Sequence, residues 1–199
     1  MKSYHDIKNF SDWSKTEKDQ YSIKVIKGLV MDATRKANSG HPGGPMSCAD
    51  FAYILYHDYL NFDPRNHEWF NRDRFVLSGG HMSMLQYSLL LLIGWLGMGD
   101  IKSFRQLHSR TPGHPEVEIP GVECTTGPLG QGFAMGVGMA HAEAYLHNLF
   151  RSLAEDAGQL VDHYTYVLAS DGDLQEPVTL GSASLAGHLG LSKLVVFYD

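Results

Sequence analysis

Three short apolar runs, 74–78 (RFVLS), 164–169 (YTYVLA) and 193–198 (KLVVFY), constrain this chain more than any other feature. Each is β-prone and apolar at successive positions, as a strand buried on both faces must be. Between them lie segments with apolar residues at helical spacing, the crossovers that parallel neighbours require. The fold class is therefore α/β, a parallel sheet flanked by helices. Ligands of such sheets bind beyond the carboxyl ends of strands. Ser78-Gly79-Gly80-His81 and Ser170-Asp171-Gly172-Asp173 both fall just past strand ends, so polar chemistry stands where the fold would use it.

Ile23, Ile26, Val30, Ala33 and Ala37 predict an amphipathic helix over 16–37, ended by the glycine- and proline-containing turn 40–44. Pro45 suits the first turn of a second helix running through Ala49, Phe51, Ala52, Leu55 and Tyr56. Residues 61–73 read as loop and 81–96 as an apolar helix. Residues 107–127, with three prolines and three glycines, form a long loop of the kind that is commonly functional. A helix follows over 128–149, whose Gly132, Ala134, Gly136, Gly138 and Ala140 permit close packing, and another covers 179–187. No repeat or linker divides the chain, so 1–199 reads as one domain.

Composition excludes several functions. Hydrophobic residues at 43% and charged residues at 19% describe a globular chain. The net charge is −6, and lysine and arginine form no run, which argues against a nucleic-acid partner. The most apolar stretch, 87–98, is too short to span a bilayer, and the polar first fifteen residues lack a signal core. Cys48 and Cys124 match no metal or redox spacing. Two free thiols suit a reducing compartment, so the chain reads as cytoplasmic, without a membrane partner.

Four of the eleven histidines follow glycine: His41, His81, His114 and His188. In Ser39-Gly40-His41-Pro42-Gly43-Gly44-Pro45-Met46 a stiff turn between helices carries an imidazole able to orient a hydroxyl or move a proton near neutral pH. Taken alone, that string reads more readily as a capping turn with an exposed histidine. Leu77-Ser78-Gly79-Gly80-His81 frees backbone N–H groups at a strand-to-helix turn, a natural anion site. Thr111-Pro112-Gly113-His114-Pro115-Glu116 is a loop stiffened by two prolines, and it is also an ordinary surface loop. Thr125-Thr126-Gly127-Pro128-Leu129-Gly130-Gln131-Gly132 starts a helix and offers Leu129 to a flat heterocycle. Ser170-Asp171-Gly172-Asp173-Leu174-Gln175-Glu176 sets a carboxylate beside glycine, which suits a hard divalent cation bridging diphosphate oxygens. Asp-Gly is also a common turn. His188 stands without such company and reads as structural.

In order, spacing and wording these strings resemble the transketolase family over nearly all of the chain. Asp73-Arg74-Phe75-Val76-Leu77-Ser78, Phe104-Arg105-Gln106-Leu107-His108-Ser109, Ser184-Leu185-Ala186-Gly187-His188-Leu189 and Met31-Asp32-Ala33 add to the likeness. The resemblance implies a thiamin-diphosphate-binding domain of the diphosphate (PP) type, and ketol transfer between sugar phosphates in the pentose phosphate pathway. It implies thiamin diphosphate with Mg²⁺, or another divalent cation such as Ca²⁺, and a homodimer.

By the same resemblance His41 and His114 are catalytic and face sugar hydroxyls, and His81 contacts the diphosphate. Gly127 and Leu129 line the cofactor rings. Asp171 ligates the metal, Gly172 offers its N–H to the diphosphate, and Glu176 belongs to an acidic network between the active sites of a dimer. Ser170, Gly79, Met82 and Pro177 depart from the family pattern, which bears on the site's turns. The chain stops after a strand, before the asparagine expected as second metal ligand and before the pyrimidine-binding domain. It therefore reads as the N-terminal part of a domain incomplete at its C-terminal end. A related enzyme such as dihydroxyacetone synthase, or a non-catalytic truncated fragment, fits much of the same pattern.

Overall fold

The computed structural model describes residues 9–199; the first eight residues of the polar leader lie outside them. Helix α1 (Lys15–Ala37) starts at Ser14, whose side chain and Glu17 form a reciprocal capping box. It ends at Asn38 in the left-handed conformation (φ 48°). Its apolar stripe buries Ile26 and Val30 completely. Helices α2 (Gly43–Ser47) and α3 (Ala49–Ile54) follow, and a π-helical turn, Leu55–Tyr59, takes up the end of the expected second helix. There Leu60 N–H reaches back to Leu55 O at 2.7 Å.

Strands β1 (Arg74–Leu77), β2 (Thr165–Ala169) and β3 (Leu194–Tyr198) form a parallel sheet in the order β1-β2-β3. Val76 pairs with Val167 and Val167 with Val196. The two-residue period divides the strands between two cores. Phe75, Leu77 and Leu168 pack with Ile26, Ala52, Tyr53 and Leu85 on one face. Val76, Val167 and Ala169 pack with Phe133 and Val137 on the other. Helices cover both faces, which is why the strands read as unbroken apolar runs.

Other bounds moved for local reasons. The helix expected over 81–96 is a 3₁₀ turn, Gly80–Met82, followed by α4 (Ser83–Ile93), ended by Gly94 at φ 93°. A short α5 (Met98–Lys102), not anticipated, starts where Gly97 N–H meets the Asp100 carboxylate at 2.8 Å. Helix α6 (Gln131–Leu153) begins later than expected, because Gly130 sits at φ 80°. Residues 170–176 hold a short helix, α7 (Asp171–Gln175), before α8 (Pro177–Leu189). Pro177 opens α8 at its first turn, where its missing N–H costs nothing. No helix among the described residues is long and apolar enough to cross a membrane.

Candidate functional site

The carboxyl ends of β1 and β2 are joined by one buried carboxylate. Asp173 is fully buried. It accepts from Ser78 Oγ at 2.8 Å, Gly130 N at 2.6 Å, Ser170 N at 2.8 Å and Ser170 Oγ at 2.9 Å. Ser78 Oγ in turn accepts from Phe133 N at 2.9 Å. One side chain thus locks the end of β1, the end of β2 and the start of α6 into a single frame. Sequence reasoning left Asp173 without a role. Its signal was the capping box Ser170-x-x-Asp173, which makes this stretch a helix start. Ser170 adopts extended backbone (φ −92°, ψ 167°), so a serine fits where the family pattern has glycine.

The glycines press these segments together. A Cβ on Gly80 would lie 2.9 Å from Gly127 N, and one on Gly132 would lie 2.6 Å from Ser78 Cα. Gly127, at φ 147°, lies against His114, whose Cγ would be 3.3 Å from an added Cβ. The buried hydroxyl of Thr126, at the turn Gly80 touches, has no hydrogen-bond partner among the described residues. The departures Gly79 and Met82 form part of the packing: a Cβ on Gly79 would meet Met82 Cε at 2.7 Å, and Met82 is buried.

Three of the Gly-His pairs meet at this edge. The His41 and His81 rings are 5.2 Å apart at an interplanar angle of 69°. His114 rides on the long loop, which is no loose surface segment. Ser83 Oγ donates to Gly113 O at 2.9 Å, and Tyr87 Oη donates to Pro112 O at 3.0 Å and His114 O at 3.2 Å. Partial burial, then the positive charge of Arg105, then His81 and His41 hold the His114 imidazole below its usual pKa. Burial, then His41, lowers His81, against an opposing pull from Asp173, Asp199 and Asp171. Both rings are thereby biased toward the neutral form, which can donate or accept a proton near pH 7. His188 is exposed near the end of α8, apart from this group.

Asp171 differs from Asp173 in every respect. It is exposed, and its Oδ1 accepts from the adjacent Gly172 N at 2.8 Å. Leu129 lies across Gly172, with Cδ1 3.0 Å from the place of an added Cβ. Glu176 borders the Gly130 turn, its Cβ 2.9 Å from the corresponding point. An exposed carboxylate, a neighbouring N–H, an orphaned hydroxyl and a glycine cradle fit a diphosphate with a hard cation. Asp173 is saturated with donors and does not fit a metal ligand's role.

The two thiols are poor nucleophiles. Burial and Asp199 push Cys48 up to about 12, and burial and Glu123 push Cys124 up to about 11. Glu143, His147 and Asp162 also cluster, with ligand atoms within 4.8 Å. They stand at the amino-terminal end of β2, and the Lys193 ammonium holds both Glu143 (2.7 Å) and Asp162.

Fold and site together define a parallel α/β domain of the thiamine diphosphate-binding class. Residues 18–199 match the family described as the transketolase, thiamine diphosphate binding domain. The chain belongs to the transketolase family. It is 56% identical over 184 residues to a transketolase of Staphylococcus epidermidis, covering 92% of this chain and 27% of that one. It is 54% identical over 183 residues to one of Geobacillus stearothermophilus, covering 91% and 27%. Among solved structures, transketolase from Leishmania mexicana matches with a TM-score of 0.86 at 48% identity, over 91% of this chain and 27% of that one. Transketolase of Pichia stipitis in complex with sedoheptulose-7-phosphate matches with a TM-score of 0.85 at 47% identity, over 91% and 26%. The chain thus spans about a quarter of the length of the relatives it matches.

Proposed function

We propose that the protein carrying this chain is a transketolase, moving a two-carbon ketol unit from a ketose phosphate to an aldose phosphate in the pentose phosphate pathway. The observation that carries this reading is the meeting of His41, His81, His114, Gly127 and Asp171 around one end of the sheet. Thiamin diphosphate, when bound, supplies the carbanion chemistry. The chain's own residues bind, orient and move protons. Asp171 would hold the divalent cation, Mg²⁺ or a similar ion such as Ca²⁺, and Gly172 would offer its N–H to the diphosphate. His81 would add a donor to the diphosphate, and Gly127 and Leu129 would border the rings. His41 and His114 face the sugar hydroxyls and transfer protons there. Glu176 joins an acidic network across a homodimer. Sugar phosphates fit as substrates, since a family relative is known in complex with sedoheptulose-7-phosphate. We place the protein in the cytoplasm.

The test is an assay of the intact protein with a ketose phosphate donor, an aldose phosphate acceptor, thiamin diphosphate and Mg²⁺. Cofactor-dependent ketol transfer is expected. No transfer with any pentose phosphate pair contradicts the proposal, and transfer to formaldehyde alone assigns the dihydroxyacetone synthase reaction instead.

A further inference from the structure

Both sugar-facing histidines follow a glycine, and two consecutive residues press on these glycines, Phe104 on Gly40 and Arg105 on Gly113. A Cβ on Gly40 would lie 3.0 Å from Phe104 Cε1. A Cβ on Gly113 would lie 3.1 Å from Arg105 Cζ and 3.2 Å from its Nε and Nη2. Arg105 Nη1 donates to Ser39 Oγ at 2.9 Å, one residue before Gly40. The guanidinium carbon lies 5.6 Å from the centroid of the Phe104 ring. Arg105 Nε is buried and has no partner among the described residues.

The backbone at this position is also unusual. Arg105 has φ 60°, the left-handed region that costs a non-glycine residue on the order of 1 kcal/mol. Its N–H is fixed to Thr111 O at 2.9 Å, at the start of the His114 loop. Such a conformation persists where the surroundings over-determine it.

We propose that Arg105 is a positioning residue that ties the turn carrying His41 to the loop carrying His114 and so holds both imidazoles toward one substrate. The proposal rests on the reading of those two histidines as sugar-facing. Arg105 also brings a fixed positive charge to His114, which disfavours the imidazolium. The titratable groups acting on His114 besides Arg105 are His81 and His41. Tyr87 holds its backbone, and Glu116 follows on the same loop.

Arg105→Met and Arg105→Lys test this in the intact protein. The pH dependence of His114 modification by diethyl pyrocarbonate, read by peptide mass spectrometry, reports the imidazole pKa without any need for activity. In Arg105→Met the midpoint should rise, while staying below the usual imidazole value because burial still lowers it. In Arg105→Lys it should stay near wild type, because the charge remains. Ketol-transfer kcat should fall about tenfold or more in both, since neither side chain reproduces the planar fork. Thiamin diphosphate affinity should stay within about threefold. An unchanged His114 midpoint in Arg105→Met, or wild-type turnover in both variants, overturns the proposal. Should Arg105→Met not fold, wild-type turnover in both Arg105→Lys and Ser39→Ala overturns it. Absence of ketol transfer in the wild type defeats the functional reading alone, and the His114 titration then decides.

Discussion

Two carboxylates two residues apart do opposite work. Asp173 is buried among four donated hydrogen bonds, whereas Asp171 is exposed with one local contact. Removing the first strands buried donors at about 1–3 kcal/mol each. Asp173→Ala should therefore lower unfolding free energy by about 3 kcal/mol or more in denaturant titration. Asp171→Ala should change it by about 0.5 kcal/mol at most. Equal destabilisation by the two would contradict the division. Ser170→Gly removes a helix cap and one of the donors to the buried Asp173 carboxylate, so a loss of about 1–2 kcal/mol, smaller than for Asp173→Ala, is expected by the same titration. The Asp-Gly-Asp string was legible as a candidate site, but which carboxylate faces solvent was not. That depends on Ser78 and Gly130, distant in sequence and brought in by the fold.

The elements were legible where the hydrophobic period was long. Helix α1 and the three strands lie within a residue or two of expectation. Short pieces were not legible: α5 and α7 hold only a few residues and owe their starts to single caps at Gly97 and Ser170. The loop 107–127 was legible as a loop but not as a rigid one. Its anchors, Ser83 and Tyr87, lie on an α4 that reads simply as apolar. The small residues of α6 were read as packing residues, and the structure separates them. An added Cβ on Gly132 would lie 2.6 Å from Ser78 Cα, while one on Gly138 meets nothing within 4 Å. Gly138→Ala should stabilise by about 0.5–1 kcal/mol. Gly132→Ala should destabilise by about 1–3 kcal/mol by pushing α6 off β1. Thermal unfolding of the two variants checks this, and a stabilising Gly132→Ala would contradict it.

Across the whole molecule, the two ends of the sheet have different electrostatic tasks. The carboxyl ends gather His41, His81 and His114, the groups proposed to serve sugar and cofactor. The amino ends carry structural groups, among them the Lys193 network and His163. Burial, then the charge of Arg74, depresses His163 to about 4. A base whose folded pKa is depressed gives stability that is present above its unfolded pKa, near 6.5, and lost as pH falls toward the folded value. Between pH 6.5 and 4 this residue should remove on the order of 2–3 kcal/mol. His163→Gln should flatten that decline in pH-dependent urea titrations, and an unchanged slope would contradict the assignment.

One end of the sheet is proposed to divide its work between cofactor and sugar. Calorimetric titration of thiamin diphosphate with Mg²⁺ into intact wild-type, Asp171→Ala and His114→Ala protein tests it most directly. Asp171→Ala should lose about tenfold or more in affinity, while His114→Ala should bind within about threefold of wild type. Wild-type affinity in Asp171→Ala together with lost affinity in His114→Ala would contradict it.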